Sequence, residues 1–266
     1  MDILNRSLAP IPQEAWDFID EEAKEILSMR FAGRKIVDFE GPKGIDFGVV
    51  NTGRLTSIKG DDEVDYKKRA VLPLVEIKKP FRLKREEMEA LARGAVDVDT
   101  DPLIEAAEDF AAAENDAILN GLEEANIKGI IEESEQPSLT FSEEKNNIIS
   151  TISDGISNLY KEGVGGPYTL MLGPGLRSMI YRLDDQGYPL LDKIKNLIKG
   201  EVIIVPALKD QGLLVSSRGD DFELIVGQDA SVGYSKQTED EIEFFFLETF
   251  TFRINSPEAA TVINKE

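Results

Sequence analysis

Apolar side chains alternate with other residues over an unusually long run near the C-terminus. From Ile242 to Ile254, every even-numbered position is apolar except Glu248, and a period of two is typical of a β-strand. As one strand this run would be roughly 40 Å long at about 3.3 Å per residue, which exceeds the strands of most compact domains. We therefore expect a subunit whose surfaces are completed by neighbouring copies.

Glu248 interrupts the apolar face of this strand. A buried carboxylate costs free energy unless it is paired, so an ion pair with an arginine or a lysine explains Glu248 better than an active site does. The sequence does not identify the partner.

Apolar residues recur at helical intervals in several other segments. Helices are predicted at residues 13–31, 101–124, 143–162, 176–181 and 190–199. Asp101 is the expected N-cap of the longest one, and Pro102 then occupies its first helical position. At 1.5 Å per residue this helix would be about 35 Å long, which predicts a spine for the fold.

Extended segments separate these helices. A hairpin is predicted to pair residues 54–59 with 64–68 across a Gly-Asp-Asp turn. Its continuation at 71–83 contains Pro73 and Pro80, which limit it to a sheet edge or a projecting arm. Further strands are expected at 168–172, 202–205 and 213–217, before those of the C-terminus. The order indicates an α+β fold, with a middle segment between two parts of an outer one.

Composition removes more functions than any motif adds. The 266 residues include 51 acidic and 30 basic side chains, a formal net charge of −21. Such a field repels nucleic acid and anionic membranes, and no apolar run approaches the roughly 20 residues of a membrane helix. No secretory signal is visible at the start of the sequence. With no cysteine and no histidine, disulfides, thiolate chemistry and the commonest metal ligand and general base are absent.

The remaining candidate motifs are weak. The glycines at 163–166 follow a predicted helix and precede a strand, which is the reverse of the order in a phosphate-binding loop. The acidic clusters at 61–63, 97–101, 184–185 and 239–241 lack EF-hand spacing, and no serine has a convincing base beside it. We therefore predict no catalytic residue, no metal site and no cofactor.

The most distinctive residues form an ordered set along the whole chain. The set consists of Arg6-Ser7-Leu8-Ala9-Pro10, Trp16, Gly33-Arg34-Lys35-Ile36-Val37-Asp38, Glu40-Gly41-Pro42, Leu72-Pro73-Leu74-Val75-Glu76, Gly166-Pro167-Tyr168-Thr169-Leu170, Gly227-Gln228-Asp229, Ser231-Val232-Gly233-Tyr234 and Glu248-Thr249-Phe250-Thr251-Phe252. In this order and spacing the chain resembles the encapsulin shell proteins of family 1, also labelled linocin-like bacteriocins.

The resemblance implies an HK97 phage-capsid-like fold. The peripheral domain would comprise residues 1–47, 84–135 and 223–266, the extended arm or E-loop 48–83, and the axial domain 136–222. Copies would assemble into an icosahedral nanocompartment of sixty subunits or a multiple, in the cytoplasm. The shell would enclose a cargo enzyme, a ferritin-like iron-storage protein or a peroxidase, through a C-terminal targeting peptide of that cargo.

The resemblance also assigns two sites. The cargo-peptide pocket would lie between the N-terminal helix and the C-terminal sheet, at Ile26, Met29, Arg30, Arg34, Ile36, Asp38, Asp229, Val232 and Gly233. The alternative for Arg34 and Asp38 is that they pair with each other. The five-fold pore loop would be Asp184-Asp185-Gln186-Gly187-Tyr188, whose repeated carboxylates favour cations such as Fe²⁺. Some members stack a flavin on an aromatic residue before the spine helix; the matching stretch here is Arg85-Glu86-Glu87, so we predict no flavin.

Two other functions remain open at this point. One is a protease or bacteriocin-like enzyme, which would need a nucleophile or an acid–base pair without histidine or cysteine. The other is a phage major capsid protein, which would have the same fold and would be recognised by the genes that surround it.

Overall fold

The computed structural model describes residues 3–58, 64–182 and 189–266. Seven α-helices lie within these ranges: α1 (Gln13–Arg30), α2 (Arg85–Ala92), α3 (Asp101–Leu119), α4 (Ile130–Glu133), α5 (Lys145–Lys161), α6 (Pro174–Arg182) and α7 (Leu190–Ile198). All five predicted helices are present.

Fourteen strands are formed by the described residues. They are β1 (Asp38–Glu40), β2 (Val49–Ile58), β3 (Tyr66–Pro73), β4 (Val75–Lys84), β5 (Gly121–Leu122), β6 (Ile127–Lys128), β7 (Leu139–Phe141), β8 (Tyr168–Leu172), β9 (Val202–Ile204), β10 (Gln211–Ser216), β11 (Phe222–Val226), β12 (Ser231–Gln237), β13 (Glu241–Ile254) and β14 (Ala260–Lys265).

The long C-terminal run is one strand, as the alternation predicts. β13 has 14 residues and lies at the centre of a five-stranded sheet. On one side its first half pairs with β12 and its second half with β11; on the other side ten residues pair with β4. Both edges of β13 are therefore covered by its own chain, and its length alone does not require a neighbouring copy.

A second five-stranded sheet has the order β7-β14-β10-β8-β9. It contains the middle segment of the chain together with β14, the last strand. The sheets join segments that the resemblance assigns to different parts of the chain: β4, from the 48–83 arm, belongs to the first sheet, and β14, from the 223–266 part of the peripheral domain, belongs to the second. The domain bounds themselves stay a prediction. Pro80 does lie on an edge strand, as expected for a proline in a sheet.

The predicted hairpin is confirmed. β2 and β3 pair antiparallel from Val49–Pro73 to Ile58–Tyr66, with a bulge between Asn51 and Leu55. None of their side chains is buried, so the hairpin does not contribute to a core of the subunit. Its predicted Gly60-Asp61-Asp62 turn lies outside the described residues.

The ends of α3 differ from the prediction. Thr100 is its N-cap and Asp101 its first helical residue; the Thr100 side chain makes no capping hydrogen bond, and Asp101 N donates instead to Asp99 Oδ1 at 3.3 Å. The helix ends at Leu119 rather than Glu124, because Gly121 has φ of +84° and begins the short β5 strand. A side chain at Gly121 would place its Cβ 2.7 Å from the backbone nitrogen of Gly129, so a glycine is required there.

Aromatic side chains join α1, α3 and the first sheet. Phe246 of β13 lies with its ring centre 5.2 Å from that of Phe81 and 5.4 Å from that of Phe110, and Trp16 meets Phe244 edge-on at 5.5 Å. Such ring pairs add to the stabilisation from burying apolar area. They hold α1 against the sheet and so fix the position of the residues that follow it.

Candidate functional site

A cavity of about 430 Å³ lies between α1, the segment that joins β11 to β12, and β13. Its lining is part apolar, with Leu27, Phe31, Val232 and Phe246, and part charged, with Arg34 among the cations. Clefts of a few hundred Å³ with apolar walls and a few polar groups are typical ligand sites. This cavity is therefore the strongest candidate site of the subunit.

One face of α1 forms a wall of the cavity. Ala23 and Leu27 are buried there, and Asp20, Lys24 and Ser28 line its open side. These positions recur at three- and four-residue intervals, which places them on one helix face. The N-terminal segment closes another side, because Arg6 binds Asp20 at 2.5 Å and stacks on Trp16 with its Cζ 4.1 Å from the ring centre.

Three predicted pocket residues of α1 do not line this cavity. Ile26 is buried in the core between α1 and the sheet, and Met29 is 60% exposed. Arg30 forms an exposed ion pair with Glu108 of α3. Helix geometry explains the position of Met29, which points about 120° or more away from both Ala23 and Leu27. Ile26 and Arg30 lie three residues from Ala23 and Leu27 respectively, on an adjoining part of the helix surface, where Ile26 packs into the core and Arg30 pairs with α3. Sequence reasoning missed Leu27 and Phe31, although both belong to the apolar set of the helix.

Two of the three predicted residues near β12 line the cavity. Asp229 and Val232 do so, whereas Gly233 does not. A Cβ at Gly233 would lie 2.4 Å from the Phe245 ring and 2.9 Å from the carbonyl oxygen of Leu4, which accepts a hydrogen bond from Tyr234 N at 2.8 Å. The glycine thus permits the N-terminal segment to approach β12.

Arg34 is the centre of the charged part of the site. It follows α1 in a 3-10 turn (Gly33–Lys35), and Asn115 of α3 holds that turn by accepting from Gly33 N at 2.8 Å. Its guanidinium lies over the Phe31 ring, with Cζ 3.8 Å from the ring centre. Its Nη1 donates to Asp229 at 3.0 Å on the cavity side. Arg34 therefore connects the cavity wall to the interior.

Ile36 and Asp38 have other roles. Ile36 is buried in the core of the second sheet, and Asp38 accepts a hydrogen bond from the backbone nitrogen of Asp220 at 2.6 Å. The alternative that Arg34 pairs with Asp38 is wrong, because the carboxylates bound to Arg34 are those of Glu114, Asp229 and Glu248.

The partner of Glu248 is Arg34, at 2.7 Å from Nη2 to Oε1. The ion pair with an arginine is thus confirmed. The second buried carboxylate, Glu114 of α3, was missed. Its signal is present in the sequence, since Leu103, Ala107 and Phe110 are followed at helical spacing by Glu114 on the buried face of the helix, where a charged residue requires a partner.

Burial dominates the electrostatics of this cluster. Burial raises the pKa of Glu248, and the nearby charge of Glu114 raises it further. Burial also raises the pKa of Glu114, although its hydrogen bond and charge contact with Arg34 act in the opposite direction. For Arg34, burial alone would lower the pKa, but Glu114, Glu248 and Asp229 outweigh it and raise the pKa.

The remaining predicted sites carry less information. The pore loop Asp184-Asp185-Gln186-Gly187-Tyr188 lies outside the described residues. Among the residues that the structure describes, no group of three or more acidic side chains is arranged to hold a metal ion. Within the same ranges, no helix is long and apolar enough to cross a membrane. Arg85, Glu86 and Glu87 form the first turn of α2; the absence of flavin there stays a prediction.

Known proteins resemble this chain in both sequence and fold. Residues 1–251 match the Linocin_M18 family, described as "Encapsulating protein for peroxidase". A type 1 encapsulin shell protein of Rhodospirillum rubrum is 39% identical over 98% of this chain and 95% of its own length. A virus-like particle from Pyrococcus furiosus superimposes with a TM-score of 0.64 at 17% identity, over 92% of this chain and 98% of the other. The capsid of Myoviridae phage XM1 gives 0.58 at 10% identity, over 90% and 92%. The fold is therefore the HK97 phage-capsid-like α+β fold that the resemblance implies.

Proposed function

Because this chain belongs to the family of encapsulin shell proteins, we propose that sixty copies of it form a shell that holds a cargo protein by a C-terminal peptide of that cargo. The chain is a structural, capsid-like protein rather than an enzyme, which removes the protease and bacteriocin-like alternative. The number of copies, the cargo peptide and its site are the parts that we add.

A phage major capsid protein is the weaker alternative. The phage XM1 capsid has 10% sequence identity to this chain, which supports a common fold alone. The Rhodospirillum rubrum shell protein is 39% identical over nearly the full length of both chains. The function is therefore that of a compartment shell.

The cavity beside α1 is the observation that supports peptide binding. Its volume of about 430 Å³ accommodates a few side chains of an extended segment. Leu27, Phe31 and Val232 offer an apolar wall, and Arg34 with Asp229 offers polar groups for the peptide backbone. A disordered tail that becomes ordered in such a groove is a common mode of recognition. The cargo peptide would occupy this cavity on the inner surface of the shell.

The predicted pocket thus keeps Arg34, Asp229 and Val232 and gains Leu27 and Phe31. The other predicted pocket residues do not line the cavity and would support the elements around it; they are Ile26, Met29, Arg30, Ile36, Asp38 and Gly233. The cargo itself is proposed to be a peroxidase or a ferritin-like iron-storage protein in the cytoplasm. Asp184 and Asp185 remain the proposed cation-selective opening at the five-fold axis.

Assembly is tested by measuring particle mass. The purified chain should elute as a megadalton particle, since sixty copies of 29.5 kDa exceed 1 MDa. A particle with a larger multiple of sixty would change the copy number and retain the shell. A stable monomer at neutral pH would contradict the proposal.

The cavity is tested with two neighbouring residues of α1. Ser28 lines the cavity and Met29 does not, and both are exposed, so Ser28→Trp fills the cavity while Met29→Trp adds the same bulk beside it. A fluorescent protein bearing the C-terminal tail of a protein encoded beside the shell gene serves as the cargo. We expect Ser28→Trp shells to lose the cargo and Met29→Trp shells to retain it. Loss of cargo only in Met29→Trp shells would favour the pocket predicted from the sequence, which includes Met29. Retention of cargo in both shells would exclude this face of α1 as the binding site.

A further inference from the structure

Glu114 and Glu248 are two fully buried carboxyl groups that converge on one arginine. Glu114 lies on α3 and Glu248 on β13, and each side chain is 0% exposed. The same nitrogen, Arg34 Nη2, donates to Glu114 Oε2 at 2.7 Å and to Glu248 Oε1 at 2.7 Å. One guanidinium carries one positive charge, and Asp229 already binds its other end. The arginine therefore cannot neutralise both glutamates.

The two glutamates are bound unequally. Glu114 accepts from Arg34 Nε at both oxygens, at 2.9 and 3.0 Å, in addition to Nη2. Glu248 accepts a single hydrogen bond from Arg34, and its Oε2 is buried with no hydrogen-bond partner among the described residues. A charged oxygen without a donor is costly in the interior, whereas a protonated oxygen is neutral and has a hydrogen to donate.

We propose that Glu248 is a neutral carboxylic acid in the folded subunit, that Glu114 is the carboxylate of the pair, and that the proton on Glu248 keeps Arg34 and Asp229 in place at the cavity wall. The protonation of Glu248 does not depend on the proposed function. Its effect on a bound peptide does rest on that function.

Other charged groups near Glu248 do not change this assignment. On β4 its register partner is the apolar Ile77. Lys78, the next residue of β4, lies over the ring of Phe245 at 3.7 Å, and Lys128 of β6 binds Glu133 at 2.6 Å. The charges that act on Glu248 are thus Glu114 from α3, Arg34 from the turn after α1, and Asp229 from the segment before β12.

Protonation links this cluster to pH with a definite sign. Burial, and then the charge of Glu114, raise the pKa of Glu248 above its value in an unfolded chain, so the folded protein binds more protons. The stabilisation is complete below the unfolded pKa and is lost as the pH rises toward the folded pKa. At alkaline pH two buried carboxylates compete for Arg34, and the wall formed by Arg34 and Asp229 loosens.

Thermal unfolding of assembled shells tests the protonation without any cargo. Glu248→Gln reproduces the neutral acid in shape, and Glu105→Gln removes a carboxylate from the exposed face of the same helix as Glu114. Between the unfolded-state and folded-state pKa values of Glu248, the ratio of folded to unfolded wild-type protein should fall about tenfold per pH unit relative to that of Glu248→Gln. This corresponds to a Tm shift of about 3–5 °C per pH unit. We expect the Tm advantage of Glu248→Gln to grow from pH 5 to pH 9. The Glu105→Gln shell should follow the wild type at every pH, and a constant Tm difference for Glu248→Gln would overturn the proposal.

Glu114→Gln supplies the second test, because the pair is asymmetric. This variant removes the carboxylate that neutralises Arg34, so it should lower the Tm throughout the same pH range. Equal behaviour of Glu114→Gln and Glu248→Gln would contradict the assignment of the proton to Glu248. A reversed order would place the proton on Glu114.

The effect on the cavity is measured with the same fluorescent cargo. Wild-type shells should release more cargo at pH 9 than at pH 6, and Glu248→Gln shells should release equal amounts at both. Equal release by wild-type shells at the two pH values would show that protonation of Glu248 does not affect the cavity wall. If no cargo is retained at any pH, the peptide site of the proposed function fails, while the Tm series still decides the protonation.

Discussion

Arg34 forms ion pairs with more carboxylates than any other basic residue in the described part of the chain. It is 18% exposed and binds three carboxylates, two of which are 0% exposed. Removing one partner of a buried ion pair is far more costly than the net value of the pair, because the remaining charge stays buried and unpaired. The order of the cavity wall therefore depends on this one side chain.

Arg34→Ala should accordingly destabilise the subunit by about 3–5 kcal/mol. Glu114 and Glu248 would then bind protons more tightly in the folded state, so the loss should be larger at pH 8 than at pH 5. Chemical denaturation at both pH values measures this. Arg30→Ala is the matched control, since its ion pair with Glu108 is exposed and such pairs contribute about 0–1 kcal/mol. Similar losses in the two variants would show that the buried cluster is not dominated by charge.

At the scale of elements, β13 and α3 are joined through Phe246. Its side chain is fully buried and contacts Phe81 on β4 as well as Phe110 on α3. One ring thus holds a helix and two strands together, directly beside the cavity that it also lines.

Phe246→Ala should therefore cost about 3–5 kcal/mol, from lost burial and the cavity that remains. It should also enlarge the candidate site and weaken cargo retention. Tyr160→Ala is a suitable control, because Tyr160 is 75% exposed at the end of α5. Calorimetry of the two variants gives the comparison; a Phe246→Ala shell as stable as the Tyr160→Ala shell would mean that the aromatic contacts are replaceable.

Because the β2–β3 hairpin lies outside the subunit core, we expect it to contribute to the particle. None of its residues is buried, yet Leu55, Ile58, Val64 and Tyr66 in and beside it are more than half exposed. Replacing residues 51–71 by a short Gly-Ser linker should leave circular dichroism from the remaining elements unchanged while preventing megadalton particles. Light scattering measures the mass, and normal particles from the shortened chain would exclude the hairpin as the assembly arm.

Local patterns predicted the elements well and their arrangement less well. The alternation from Ile242 to Ile254 identified β13, because a period of two in apolar residues is a local property of the sequence and is typical of a strand. Pro73 and Pro80 left 71–83 open between a sheet edge and an arm, and only the fold shows that β4 lies at a sheet edge beside β13. Ile26 and Met29 do not line the cavity, because which residues of a helix face a cleft depends on the partner element that packs against the helix and not on the local sequence. Arg34 and Glu248 were each singled out, but their pairing spans 214 residues and only the fold brings them together.

At the scale of the whole molecule, charge opposes assembly. Each copy carries −21, so sixty copies would carry 60 × −21 = −1260 formal charges. The hairpin is less acidic than the chain as a whole, since residues 49–73 hold five basic and four acidic side chains, and Arg54, Lys67, Lys68 and Arg69 are exposed without carboxylate partners among the described residues. We therefore expect particle formation to depend on the burial of apolar surface and on the hairpin cations, both of which must outweigh the repulsion between copies.

Ionic strength separates these two contributions, because the Debye length falls from about 30 Å at 0.01 M salt to about 8 Å at 0.15 M. If the net charge dominates, particles should dissociate partly at 0.01 M salt and remain intact at 0.15 M and above, and acidification toward the isoelectric point near 4.5 should restore them at low salt. The double variant Lys67→Glu with Lys68→Glu adds repulsion at the hairpin and should increase the dependence of assembly on salt. The control is Lys193→Ala, on the exposed surface of α7; it changes the net charge by one and should behave as the wild type. Sedimentation velocity across the salt series gives the fraction assembled. Particles that persist at 0.01 M salt and dissociate at 0.5 M would show instead that ion pairs made by the hairpin outweigh the repulsion between copies.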